Sequence, residues 1–187
     1  MGNVSRFVTG LILVCLGCGI VLFTMFDTAW KTGTVTYNDY DDIDYVDAQS
    51  SNEFGLSDFA VYDSGEVCDG GECEKMGNST LSSYADDWPD DVCEQDGDLL
   101  EEMCSIKSAG STGFWILMIG VILGIIAIIF ASLTLGGVVP AWISSIFAGL
   151  FSLAAVAGPF VWFSMFPDVK EIYPDPLGLS YAFFLNL

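Results

Sequence analysis

Two charge-free apolar tracts flank a hydrophilic segment, Asp27 to Ser111, that holds 22 of the chain's 25 acidic residues and four of its six cysteines. Acids buried in lipid without partners are prohibitively costly, so this segment must lie outside any membrane that its flanks enter. Phe7 to Phe26 is twenty residues without a charge. At about 1.5 Å per residue, a helix of that length spans roughly 30 Å, the thickness of a bilayer core. Gly113 to Phe166 is also free of Asp, Glu, Lys, Arg and His. That is more than one span needs, and Gly136, Gly137 and Pro140 mark the break.

The expected fold class is therefore an α-helical transmembrane bundle carrying a small disulfide-bonded, β-containing extracellular domain. Residues 1–26 hold the N-terminus and first span, 27–111 the acidic domain, 112–135 the second span, 136–139 a cytoplasmic turn and 140–166 the third span. Residues 167–176 form a second outer loop, and 177–187 read as the start of a fourth helix, so three helices are complete. A secretory signal is the rival reading of the first tract. Signal cores run about 7 to 15 residues before a small-residue cleavage site. Here the tract runs into Asp27-Thr28-Ala29-Trp30 with no Ala-x-Ala site, which predicts a retained helix.

Orientation rests on the cysteines more than on the basic residues, because Arg6 and Lys31 sit at opposite flanks of the first span. Cys68, Cys73, Cys93 and Cys104 form an even set in a short segment, as disulfides in an oxidising compartment would. Four cysteines allow three pairings; the Gly-turned Cys68-Asp-Gly-Gly-Glu-Cys73 loop favours Cys68 with Cys73 and leaves Cys93 for Cys104. A zinc site is disfavoured by the spacing and by the absence of any His. Asn78-Ser79-Thr80 is a glycosylation acceptor triplet if the segment is translocated. The N-terminus is then cytoplasmic, 27–111 extracellular, and the chain multi-pass in the plasma membrane. Cys15 and Cys18 lie in the first span and read as ordinary small helix residues.

The acids themselves are less specific. Against Lys31, Lys75 and Lys107, the 22 carboxylates leave 27–111 with a net charge of −19 of the chain's −20. Such a field repels nucleic acid and attracts cations. Two runs, Asp39, Asp41, Asp42 and Asp44, then Asp86, Asp87, Asp90 and Asp91, carry the clustered carboxylates that Ca²⁺ prefers. Neither fits an EF-hand: the central Gly is missing, and the residue eleven after Asp39 is Ser50. A solvated acidic surface is the commoner explanation. Short strands are expected at Thr32 to Tyr37 and Phe59 to Tyr62. Asp63 to Asp91 reads as loop, and Asp98 to Lys107 as an amphipathic helix leading into the second span.

The spans carry small residues at four-residue spacing: Gly120 and Gly124, Ala127 and Ala131, Ser145 and Gly149, Ala154 and Gly158. Such rows let helix backbones approach within one bundle. They hold no charge of the kind that marks a proton relay. With no His, no nucleophile elbow and no phosphate loop, enzyme readings fail on inventory.

The topology as a whole, with Trp30-Lys31 after the first span and Tyr173-Pro-Asp-Pro-Leu-Gly178-Leu-Ser180-Tyr181 before the fourth, resembles the claudin and peripheral-myelin-protein-like tetraspans. The Gly-Leu-Trp-x2-Cys signature of that group is absent, since Gly55-Leu56 is followed by Ser57. The resemblance implies structural roles for Trp30, Lys31, Gly178 and Ser180. It also implies a non-enzymatic protein whose outer sheet meets other membrane proteins or a second copy, in adhesion or as an accessory subunit. The alternatives are an acidic cation-binding or sensing ectodomain on a membrane anchor, and a small subunit of a larger membrane complex.

Overall fold

A computed structural model describes residues 2–36, 43–69, 72–87, 93, 98–167 and 177–185. Among the described residues, three helices are long and apolar enough to cross a membrane: α1 (Gly2–Met25), α3 (Asp98–Leu135) and α4 (Ala141–Met165). A separate antiparallel sheet forms mostly between α1 and α3, and the described residues hold two disulfides. The chain is a multi-pass membrane protein with a disulfide-bonded domain, which is consistent with a non-cytoplasmic segment.

The sheet comprises β1 (Lys31–Thr36), β2 (Ile43–Phe54), β3 (Asp58–Asp69), β4 (Glu72–Met76), β5 (Ser79–Ser83) and β6 (Gly178–Leu179). Its order is β4-β3-β2-β1-β6, with β5 also on β3. β1 follows from its three Thr and Val35, β-branched residues that suit a pleated surface. The long β2–β3 hairpin is tied at its turn by the Gly55 N–H donating to the Asp58 carbonyl at 2.9 Å. Its register shifts between Val46 and Gln49, as a bulge does. Beyond it, β5 and β4 share the far edge of β3 end to end. Gly65, at a φ of 114° that other residues rarely adopt, sits where β3 passes from one partner to the other.

The expectation of loop over 63–91 is corrected: β3 continues to Asp69, and β4, β5 and α2 (Tyr84–Asp87) follow. β2 also extends into what reads as an acidic run. These strands escape notice because the alternation that announces a strand requires one apolar face. On β4, Glu72, Cys73, Glu74 and Lys75 are all exposed, so both faces are polar.

α3 has 38 residues, a length of roughly 57 Å, so it outreaches a bilayer. The lead-in over 98–107 and the second span are thus one unbroken helix, with no joint at residue 112. The α3–α4 turn is closed by Gly137, whose φ of +74° no β-branched residue would take readily. Small residues then allow close packing. A methyl on Gly120 would meet Ala154, one on Gly158 would meet Leu117, and one on Gly124 would meet Cys18 and Phe151. Gly149 faces open space, and Ser145 lines a groove among α1, α3 and α4. Pro159 is buried in α4, and the helix runs on past it. The five-residue α5 (Tyr181–Leu185) packs on α1 and buries Ala182 and Phe183.

Candidate functional site

What the fold builds most completely is the junction where the sheet meets the bundle. α1 ends at Met25, and Asp27 starts the link by accepting the Ala29 N–H on Oδ1 at 2.8 Å, a turn that Asp favours. This delivers Trp30 into the core with no exposed surface. Its indole N–H donates to the Thr24 carbonyl at 2.6 Å, satisfying a carbonyl in the last turn of α1. Its ring stands edge-on to Trp162 at 5.4 Å and to Phe183 at 6.3 Å, a preferred aromatic geometry. Its backbone accepts the Ser180 N–H at 3.1 Å and donates to the Phe54 carbonyl at 3.2 Å. One residue thereby joins α1, α4, α5 and the sheet.

The neighbouring Lys31 lies over the Phe166 ring at 4.0 Å and the Phe163 ring at 5.7 Å. That placement pairs a cation with aromatic faces near the end of α4. Lys31 pairs in register with Leu179, and Thr32 with Gly178. The four residues to which the resemblance assigned structural roles, Trp30, Lys31, Gly178 and Ser180, are therefore brought together around one short β1–β6 ladder.

A second attachment lies at the β2–β3 turn. Leu56, in the β2–β3 turn, is buried against α3, where a methyl on Gly110 would collide with its backbone carbonyl and one on Gly113 would touch its side chain. Tyr84 holds that turn from the other side: its hydroxyl donates to the Gly55 carbonyl at 3.2 Å, and its ring stacks on Phe59 at 5.6 Å. The signals available in sequence were Gly110 and Gly113, a Gly pair inside a helical run. Burial, and secondarily the nearby Asp58 charge, pushes the Tyr84 phenol far above its ordinary value of 10.0. Folding thus favours the neutral phenol, and this stabilisation is complete below pH 10 and fades as pH rises above it. We expect the melting temperature of the purified protein to fall as pH rises from about 10 to about 12, with a shallower fall in Tyr84→Phe. Equal slopes would refute the assignment. At neutral pH the variant should lose about 1 kcal/mol, the usual worth of one such hydrogen bond.

The structure pairs Cys68 with Cys73 and Cys93 with Cys104. The first pair are direct register partners across β3 and β4. Because the closed loop is short, replacing both Cys68 and Cys73 by Ser should cost about 2 kcal/mol, read as a shifted denaturation midpoint in mild detergent.

Of the remaining sequence candidates, those among the described residues lie on different elements. Asn78 is exposed in the β4–β5 link, where its carbonyl accepts the Asp63 N–H at 2.9 Å. Asp44 lies in β2 in register with Cys68, Asp86 is exposed on α2, and Asp87 ends that helix. Asp39, Asp41, Asp42, Asp90 and Asp91 lie outside the described residues, as does Tyr173 to Pro176. Among the described residues, no three His, Cys, Asp or Glu gather as metal ligands would. The chain matches no protein-family model, and no curated protein matches it in sequence.

Proposed function

We propose that this chain is a non-enzymatic, claudin-like tetraspan of the plasma membrane that works through its outer sheet, in cell-surface adhesion or as an accessory subunit of another membrane protein. The observation that carries this reading is the double attachment of the sheet, at Trp30 and at Leu56. A binding surface gains affinity when its pose is set beforehand, because less freedom is lost on contact. A sheet clamped at two points keeps one attitude to the membrane, which suits recognition of a partner in the same or a facing bilayer. The charged residues of β4, Glu72, Glu74 and Lys75, guard one stretch of open edge against indiscriminate strand pairing, so contact is directed elsewhere.

Two measurements test this. A membrane-impermeant amine reagent applied to intact cells should modify the exposed Lys75; modification only after permeabilisation would overturn the orientation. Chemical cross-linking in cells, followed by purification in mild detergent, should recover the chain with a second membrane protein or as an oligomer. A single uncross-linked monomer would overturn the adhesion and accessory roles.

A further inference from the structure

β5 hydrogen-bonds to β3 along one side, and among the described residues no strand pairs with its other side. In an antiparallel ladder, alternate residues turn their N–H and C=O away from the neighbouring strand. The outer side of β5 therefore presents a row of main-chain donors and acceptors. Sheet edges of this kind are normally blunted by charges, by Pro or by a covering element. β4, which shares the same edge of β3, follows that rule with Glu72, Glu74 and Lys75. β5 does not, since its sequence is Ser-Thr-Leu-Ser-Ser. It lies in Met76 to Ala85, the longest charge-free run between Asp27 and Ser111. Ser79, Thr80 and Leu81 are exposed, Leu81 by 71 %.

The surroundings of this uncharged edge are acidic. Asp58 is the register partner of Ser83 at one end of β5, and Asp63 donates its N–H to the Asn78 carbonyl just beyond the other end. Asp58 and Asp63 are five residues apart on β3, so at about 3.4 Å per residue they stand roughly 17 Å apart, on opposite faces. Asp86 is exposed on the helix that follows, and residues 27–111 as a whole carry a net charge of −19. A second copy would bring another −19 to this edge, and like charges brought together oppose association. An extended segment with a Lys or Arg at each end meets no such repulsion. Its main chain pairs with β5, which supplies affinity, while its cations lie near Asp58 and Asp63, which sets register and excludes acidic competitors.

We infer that β5 receives an extended, basic segment of a partner protein by strand addition. This pairing rests on the reading of the outer sheet as the element that meets partners, and its failure in the assay below would leave partner recovery by cross-linking untouched. The assay measures binding of the full chain, in phosphatidylcholine nanodiscs, to immobilised capped peptides by surface plasmon resonance. The peptide Lys-Val-Thr-Val-Thr-Lys reproduces both the five-residue spacing and the opposite faces of the two carboxylates. It should bind saturably, roughly tenfold tighter than Glu-Val-Thr-Val-Thr-Glu and roughly tenfold tighter than its own form with every backbone N–H methylated, which keeps the charge and removes the donors. Leu81→Lys, which sets a cation in the edge, should weaken binding roughly tenfold, whereas Glu74→Gln, an equal change in net charge placed on β4, should alter it by less than about twofold. Thermal unfolding of both variants is checked against the parent, and the methylated peptide decides alone if Leu81→Lys does not fold. Absence of binding, equal binding of the acidic or methylated peptide, or equal effects of the two substitutions would overturn the inference. So would a dimer of the chain that forms without peptide and is lost in Leu81→Lys, because the edge would then serve a second copy.

Discussion

Trp30→Ala is expected to lower stability by about 4 kcal/mol, the range found when a fully buried large aromatic is truncated. The loss has three sources. The cavity left by the indole cannot be refilled by Trp162 and Phe183, which belong to different helices and are held by their own contacts. The indole hydrogen bond to the Thr24 carbonyl is lost, about 1 kcal/mol, although that carbonyl keeps the Asp27 N–H at 3.3 Å. The edge-on contacts to Trp162 and Phe183, each worth about 1 kcal/mol, disappear together. Trp30→Phe should recover most of the packing and none of the hydrogen bond, and so fall between the two. The measurement is the thermal midpoint in detergent, alongside limited proteolysis at the link between α1 and β1. A variant as stable and as protected as the parent would show that the sheet is not rooted at this residue.

Gly110→Ala is the second large effect, about 3 kcal/mol, at the upper end for overpacking. A side chain there meets the Leu56 backbone carbonyl, and backbone cannot swing aside as a flexible side chain does. The helix by itself would favour the change, since Gly costs about 1 kcal/mol relative to a good helix former. The sign therefore depends on the hairpin being seated against α3. Gly149→Ala is the matched control: its Cβ meets nothing within 4 Å, so that change should be neutral or slightly stabilising. Destabilisation at Gly110 without destabilisation at Gly149, measured by thermal unfolding, would locate the cost at the contact with Leu56. Equal behaviour of the two would contradict the seated hairpin.

The aromatic and glycine anchors differ in how visible they were beforehand. Trp30 and Lys31 attract attention because a large aromatic and a cation follow directly on an uncharged span, where side chains must reconcile lipid, water and sheet. Leu56 sits in a Phe-Gly-Leu-Ser turn that any surface loop could contain. Its importance arises only because β2 and β3 aim it at Gly110, more than fifty positions away. Trp162 reads as one of many apolar residues in a span, and only its neighbours Trp30, Phe166 and Phe183 make it a centre. The strands divide in the same way. β1 carries Thr and Val and is legible, whereas β4 and β5 are polar sequences drawn into pairing by β3 rather than by preferences of their own.

Hydropathy and length are local properties, so the three membrane helices, the turn at Gly137 and the confinement of the acids to one segment could be read from the chain alone. A bilayer penalises each buried charge separately, and no partner elsewhere is needed to state that cost. The pairing of β1 with β6 and the seating of Leu56 on α3 involve residues far apart in the chain. β1 meets β6 where Ser180 donates its N–H to the Trp30 carbonyl at the end of the bundle. Each of these depends on how elements distant in the chain meet, and composition carries no record of that meeting.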